Sequence, residues 1–312
     1  MIVHLPDPTD PWNALWASFE RGLRADSTRI TSRRTLEIYA EAGRQFHEFQ
    51  LERHSTVDPA HVEKLHVENW LIYLREERGV KPATIRARFS ALRRFFNWCV
   101  DEGEVEHSPM LRMHAPKVDE PAPDVLTDAE ANKLLKACED KDFESRRDRA
   151  IIGLMLDTGL RRFEVAAMGY EAIKSQLDSG SIQVMGKGSR QGIVFFGVKT
   201  ARDIDRYLRV RAQHRLAADS SLWLAQKGAL TGDGVHHLVK RRAALAGIRA
   251  IHPHLFRHTW ANAMKAGGAS DEDVMTLGRW RDRKIMARYG ASAAIQRAAE
   301  TARRLSPRDR LT

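Results

Sequence analysis

Apolar residues in the first hundred positions recur with the 3.6-residue period of helices. Trp12, Trp16, Phe19 and Leu23 fall on one stripe. Ser32 can cap a second helix carrying Leu36, Tyr39, Phe46 and Phe49. A third, from about His61, holds Val62, Leu65, Trp70, Leu71 and Leu74 and stops at Gly79. A fourth enters at Pro82 and runs through Cys99, with Ile85, Phe89, Leu92, Phe96 and Cys99 as its core stripe. Its opposite face carries Arg86, Ser90, Arg93 and Asn97. Such a face is either solvated or laid against phosphates, and the pattern alone favours solvation.

Ser108-Pro109 closes this helical part, and Pro116, Pro121 and Pro123 then stand among charges, which predicts an extended linker. Thr127-Asp128-Ala129-Glu130 has the capping-box form and opens a helix with Leu134 and Leu135. The chain therefore reads as residues 1–114, a linker at 115–125, and residues 126–312. In the second part, helices are expected at 127–138, 146–157 and 162–168. Alternating runs at 181–185 and 191–196 flank a glycine-rich turn and predict a hairpin. Further helices are expected at 199–216, 232–246, 256–266, 271–278, 283–289 and 291–304. The expected fold class is mainly α with a small β-hairpin: a helical domain followed by a mixed α+β domain.

A length of 312 residues suffices for two cores. No apolar run approaches a membrane span, and the first residues carry acids and prolines, so no signal peptide is expected. Cys99 and Cys138 sit inside helical patterns and read as buried thiols in a reducing cytoplasm, not as a disulfide or metal pair. The net charge of +10 points to a polyanion, with nucleic acid ahead of membrane. Its distribution is uneven: residues 1–123 hold 17 Lys+Arg against 19 Asp+Glu, and residues 124–312 hold 34 against 22.

Candidate chemistry lies in the basic part. His254 and Arg257 are one helical turn apart, and guanidinium grips two phosphate oxygens in a fixed fork. Arg161 follows a Gly-Leu turn with Glu164 one turn on; the pair is either a weak surface ion pair or a guanidinium oriented toward phosphate. Lys187, in Gly186-Lys187-Gly188, is either a solvated turn lysine or an ammonium able to protonate a leaving oxygen. His252, His254 and His258 lack further ligands at metal spacing, so no metal is expected. Trp280 and Tyr289 taken singly read as core aromatics, yet Tyr289 stands among Arg281, Arg283, Lys284 and Arg288. A tyrosine there could be a nucleophile.

The ordered set Gly159-Leu160-Arg161-x-x-Glu164, the Gly-Lys-Gly hairpin, His254-x-x-Arg257-His258-Thr259, Leu277-Gly278-x-Trp280 and Tyr289 resembles the tyrosine recombinases. The resemblance spans nearly the whole chain. It implies that Arg161 and Arg257 clamp the scissile phosphate, His254 assists, Tyr289 attacks phosphorus and Lys187 protonates the leaving oxygen. Trp280 would pack or hydrogen-bond against the phosphate. No ATP, metal or other cofactor is implied. Phe256 replaces a common leucine, Arg279 precedes Trp280, and Gly192 stands near a place often basic; none removes a proposed catalytic group.

The resemblance also implies a clamp on double-stranded DNA with short inverted-repeat core sites, and four protomers on two sites. Arg86 and Arg93 on the fourth helix, and Lys240, Arg241 and Arg242 on helix 232–246, are then the expected DNA contacts. The helix at 291–304, with Ile295, Ala298, Ala299 and Ala302, would dock on a neighbour or pack in cis. No room is expected for an additional arm-binding domain like that of lambda-type integrases. The alternatives are a non-catalytic DNA-binding regulator on this fold and a relaxing enzyme of the type IB topoisomerase kind.

Overall fold

The computed structural model describes residues 10–26, 31–53, 58–118, 123–186 and 190–280, with 282, 283, 286, 302, 303, 305, 306 and 308–310 beyond them. The chain divides into two compact units, Met1–Glu120 and Pro121–Thr312.

In the first unit, α1 (Pro11–Ala25) starts where the Asp10 carboxylate accepts the Trp12 N–H, with proline in its first turn. In α2 (Arg33–Arg53), the Ser32 hydroxyl accepts the Thr35 N–H at 3.2 Å, which is the expected cap. The third expected helix is broken up. A 3₁₀ turn at Pro59–His61 precedes α3 (Lys64–Ile72), and a π-helical turn follows at Tyr73–Glu77. The reason is local: Asp58 caps Ala60, and Glu63 together with His66 caps α3 anew. The fourth helix, α4 (Pro82–Asp101), buries Ile85, Phe89, Leu92, Phe96 and Cys99. Trp12, Trp16, Phe46 and Phe95 pack into an aromatic core, with Trp16 and Phe95 centroids 4.3 Å apart.

In the second unit the Thr127 capping box opens α5 (Asp128–Lys136): Thr127 accepts from Glu130 N–H, and Glu130 accepts from Thr127 N–H at 2.9 Å. A buried helix follows, α6 (Phe143–Thr158), then α7 (Arg162–Ala166) and α8 (Tyr170–Gln176). Strands β1 (Ser181–Gly186) and β2 (Arg190–Phe195) pair antiparallel, with Val184 opposite Gly192. Next come α9 (Val198–Arg211) and a second, unforeseen hairpin of β3 (Leu224–Ala225) and β4 (Gly228–Ala229). Helices α10 (Gly232–Leu245), α11 (Pro253–Ala266) and α12 (Asp271–Gly278) complete the described elements. The expected mainly α class with a small β part holds. The core is built on α6, whose Ile151, Ile152, Leu154 and Met155 are buried against α9, α10 and α11 residues. Of the helices expected at 283–289 and 291–304, only residues 283, 286, 302 and 303 are described, and the rest lie outside the described residues. Among the described residues no helix is long and apolar enough to cross a membrane.

Candidate active site

The site begins where α6 ends. Gly159 adopts the left-handed conformation, φ +59°, and its N–H closes the helix on Met155 O. Only glycine fits, because a Cβ here would lie 2.7 Å from the Trp260 ring. The turn delivers Arg161 to the N-cap of α7, where its N–H donates to Glu164 at 2.7 Å and its guanidinium to the same carboxylate at 3.1 Å. The Arg161 side chain is 43% exposed, whereas that of Glu164 is buried at 6%.

Helix α11 begins at Pro253, three residues before the sequence expectation, with His252 as N-cap. His254 therefore lies in its first turn, exposed, its ring edge-on to His258 at 4.4 Å. Arg257, one turn on, is buried. It donates to Gly159 O at 2.9 Å and to Gly278 O, and its guanidinium lies 4.2 Å from the Trp280 ring centroid. Arg161 and His254 share a cleft of about 290 Å³ with Phe163, His236 and His252. Burial, and then Lys240, Arg162 and His237, lower the His236 pKa, so the neutral ring is favoured there.

The structure thus brings Arg161, His254, Arg257 and Trp280 together. Lys187 and Tyr289 lie outside the described residues, as does the tip of the β1–β2 hairpin. Sequence reasoning noted Arg279 only as a departure before Trp280 and gave it no role. It caps α12 in the left-handed region and donates to Glu164 at 2.7 Å, so Glu164 holds two guanidiniums. Its position between Gly278 and Trp280 was the available signal.

The expected DNA contacts divide. Arg86 and Lys240 are exposed. Arg93 is half-buried, donates to Met113 O and lies 4.5 Å over the Phe89 ring, so its guanidinium is engaged within its own unit. Arg242 contradicts the expectation. It is buried at 6% and bonds Asp148 at 2.7 Å, Ala137 O at 2.8 Å and Ser145 at 3.1 Å, which leaves it no outward face. Arg241, half-exposed, spends both terminal nitrogens on Glu144 at 2.9 Å and Asp148 at 2.8 Å. Among the described residues no group of three or more His, Cys, Asp or Glu could hold a metal ion.

Residues 124–295 match the phage integrase family, and residues 17–103 match the phage integrase N-terminal SAM-like domain. Tyrosine recombinase XerC of Chlorobaculum tepidum is 30% identical over 297 residues, covering 86% of this chain and 87% of that protein. Tyrosine recombinase XerD of Pseudomonas putida is 30% identical over 269 residues, covering 85% of each. Among solved structures, a post-cleavage complex of XerH with its palindromic difH substrate superposes with TM-score 0.75 at 18% identity, covering 96% of this chain and 97% of that one. A lambda integrase dimer on a COC′ core site gives 0.67 at 16% identity, covering 88% and 94%.

Proposed function

The chain belongs to the phage integrase family of tyrosine recombinases, and we propose that it exchanges DNA strands at a specific site through a covalent 3′-phosphotyrosine intermediate. Tyr289 Oη attacks the scissile phosphorus while the bond to the 5′ oxygen breaks. Lys187 gives that oxygen its proton, and His254 hydrogen-bonds the phosphate and helps take the proton from Tyr289. Arg161 and Arg257 bind the non-bridging oxygens and stabilise the pentavalent transition state. Trp280 packs on Arg257 and holds that guanidinium in plane. A 5′-hydroxyl from the partner strand then reverses the step, so the bond energy is kept and no ATP is consumed.

The observation that carries this reading is the seat of Arg257. Its bonds to Gly159 O and Gly278 O tie the turn before Arg161 to the segment bearing Trp280. Three distant stretches of sequence are thereby joined at one basic centre. The proposed partner is duplex DNA with short inverted repeats, bound by four protomers across two sites, with residues 1–114 as the core-type binding domain and 126–312 as the catalytic domain. Lys240 and Arg86 are the proposed phosphate contacts outside the centre.

The test is a nicked suicide duplex carrying the flanks of the protein's own gene. Wild type forms a covalent adduct, and Tyr289→Phe binds the duplex but forms none. An adduct persisting in Tyr289→Phe removes Tyr289 as nucleophile, and no adduct with wild type removes the reading itself.

A further inference from the structure

Arg279 is held in an unfavourable state on three separate counts. Among the described residues it is the one non-glycine with positive φ, at 54°. A β-carbon is disfavoured there, and chains normally place glycine or asparagine at such a helix C-terminus. Its side chain is only 18% exposed, although it carries a full charge. Burial, opposed by Glu164 and aided by Arg161, lowers its pKa. Finally, its Nε and Nη1 are shielded from water and have no hydrogen-bond acceptor among the described residues. Native proteins rarely leave buried donors unpaired, and such orphans mark either strain or a missing ligand.

The surroundings maintain this state. Glu164 Oε2 anchors Nη2 at 2.7 Å while Oε1 anchors Arg161 at 3.1 Å. One carboxylate thus sets two guanidiniums side by side and neutralises only one of them. On the hairpin, Gly192 leaves the room that the Arg279 stem occupies, since a Cβ there would lie 2.7 Å from Arg279 Cδ. Trp280, the next residue, is the ring that covers Arg257. Arg279 therefore stands between the Arg161 carboxylate tether, the hairpin that carries Lys187, and the Arg257–Trp280 pair.

We infer that Arg279 is a third phosphate-gripping guanidinium of this centre, whose unpaired Nε and Nη1 donate to the scissile phosphate when DNA is bound. A phosphate supplies what the site lacks: two oxygens at guanidinium spacing, and a negative charge to offset the unbalanced one. The inference rests on the reading of Arg161 and Arg257 as the phosphate grip. A brace between Glu164 and the hairpin is the rival role, and the two differ in how they respond to phosphate charge.

The experiment uses the full chain and the suicide duplex with its scissile group either a phosphodiester or an uncharged methylphosphonate. Wild type on each duplex sets the reference, and its failure on the phosphodiester is a failure of the proposed function, not of Arg279. Arg279→Gln is expected to cleave the phosphodiester about a hundredfold more slowly, with far less loss on the methylphosphonate. Arg279→Lys, which keeps the charge without the fork, is expected to fall between. Gly192→Ala, which displaces the arginine stem and keeps its charge, is expected to show the same selective loss. Duplex affinity should change no more than about threefold in each, because many other phosphate contacts carry binding. Equal losses on both duplexes, or collapse of the fold in all three variants, assign Arg279 to bracing, unimpaired cleavage by Arg279→Gln removes it from the centre, and each outcome overturns the inference.

Discussion

Asp148 provides a quantitative test of how the second unit is held together. It lies on α6 with its carboxylate fully buried, and its two oxygens accept from three arginines. Oδ1 takes Arg147 Nε at 3.0 Å and Nη2 at 2.8 Å. Oδ2 takes Arg242 Nε at 2.7 Å and Arg241 Nη2 at 2.8 Å. The side chains of Arg147 and Arg242 are 6% and 7% exposed, so water screens their charges little. Arg241 is 46% exposed, and its share is discounted as a solvated pair. Asp148→Asn keeps the shape and one acceptor oxygen, turns its amide N–H groups toward one of the two buried arginines, and leaves both without their counter-charge. Breaking a buried ion pair on one side costs about 3–5 kcal/mol. For a unit of this size that lowers the melting temperature by about 10 °C. Urea unfolding followed by circular dichroism should show the loss in the transition of the second unit, with that of the first unit unmoved. A loss below about 1 kcal/mol would mean that the carboxylate is not the counter-charge, and would refute the reasoning. Replacing Asp148, Arg147 and Arg242 together by Leu, Met and Met should recover most of the stability, since no charge is then left unpaired.

Three more outcomes follow from the same geometry. Gly159→Ala forces a left-handed alanine against the Trp260 ring and should cost about 3 kcal/mol, with cleavage falling because the carbonyl that seats Arg257 shifts; unchanged stability would show the turn to be soft. Lys240→Ala should weaken duplex binding and reduce the salt slope by about one, whereas Arg242→Ala should destabilise the fold and leave the slope of the folded protein unchanged. His47 is the third case. Burial, opposed by Asp10 and Glu48, holds its pKa below the ordinary 6.5. The unfolded chain then takes the proton more readily, so stability present above pH 6.5 is lost as the pH falls below it. Melting curves at pH 7.5 and 5.5 should separate more for wild type than for His47→Gln, and equal separations would exclude His47 as the source.

What was legible in the chain is what local chemistry determines. The stripe Trp12, Trp16, Phe19 and Leu23 needs only helical period, and all four are buried on α1. The Thr127–Glu130 box needs only four residues, and both of its reciprocal bonds form. The motif Gly159-Leu160-Arg161 reads as a turn because glycine is the residue for positive φ. The failures are of the opposite kind. The Lys240-Arg241-Arg242 run resembles a basic patch, but Asp148, 94 residues away from Arg242, takes the third arginine inside. The β3–β4 hairpin is two residues per strand, too short for alternation to register. The interruption after His61 depends on Asp58 and Glu63 capping successive turns, which a hydrophobic pattern averages away. Arg279 was legible only by its place between Gly278 and Trp280, because the residue type gives no mark of the left-handed backbone it adopts there.

Sequence counts arginines alike, and the structure sorts them by what their nitrogens already hold. Arg211 is the saturated extreme: buried, it donates to Leu222, Ala217, Asp219 and Ser221 carbonyls and stacks 4.1 Å from Tyr170. Such a side chain is a fastener, since every donor given to a ligand would be taken from the fold. Arg242 belongs with it. Arg161 is the other extreme, tethered by one guanidinium nitrogen at 3.1 Å and otherwise 43% exposed. A tethered, exposed guanidinium loses little freedom on meeting an anion, because part of its ordering is already done in the free protein. Net charge is therefore a poor measure of affinity for DNA in this chain: much of the excess in residues 124–312 is spent internally. The arginines that matter for a phosphate are those whose own fold leaves them donors to give, and the pairing of Arg161 with Arg279 on one carboxylate concentrates such donors at a single point.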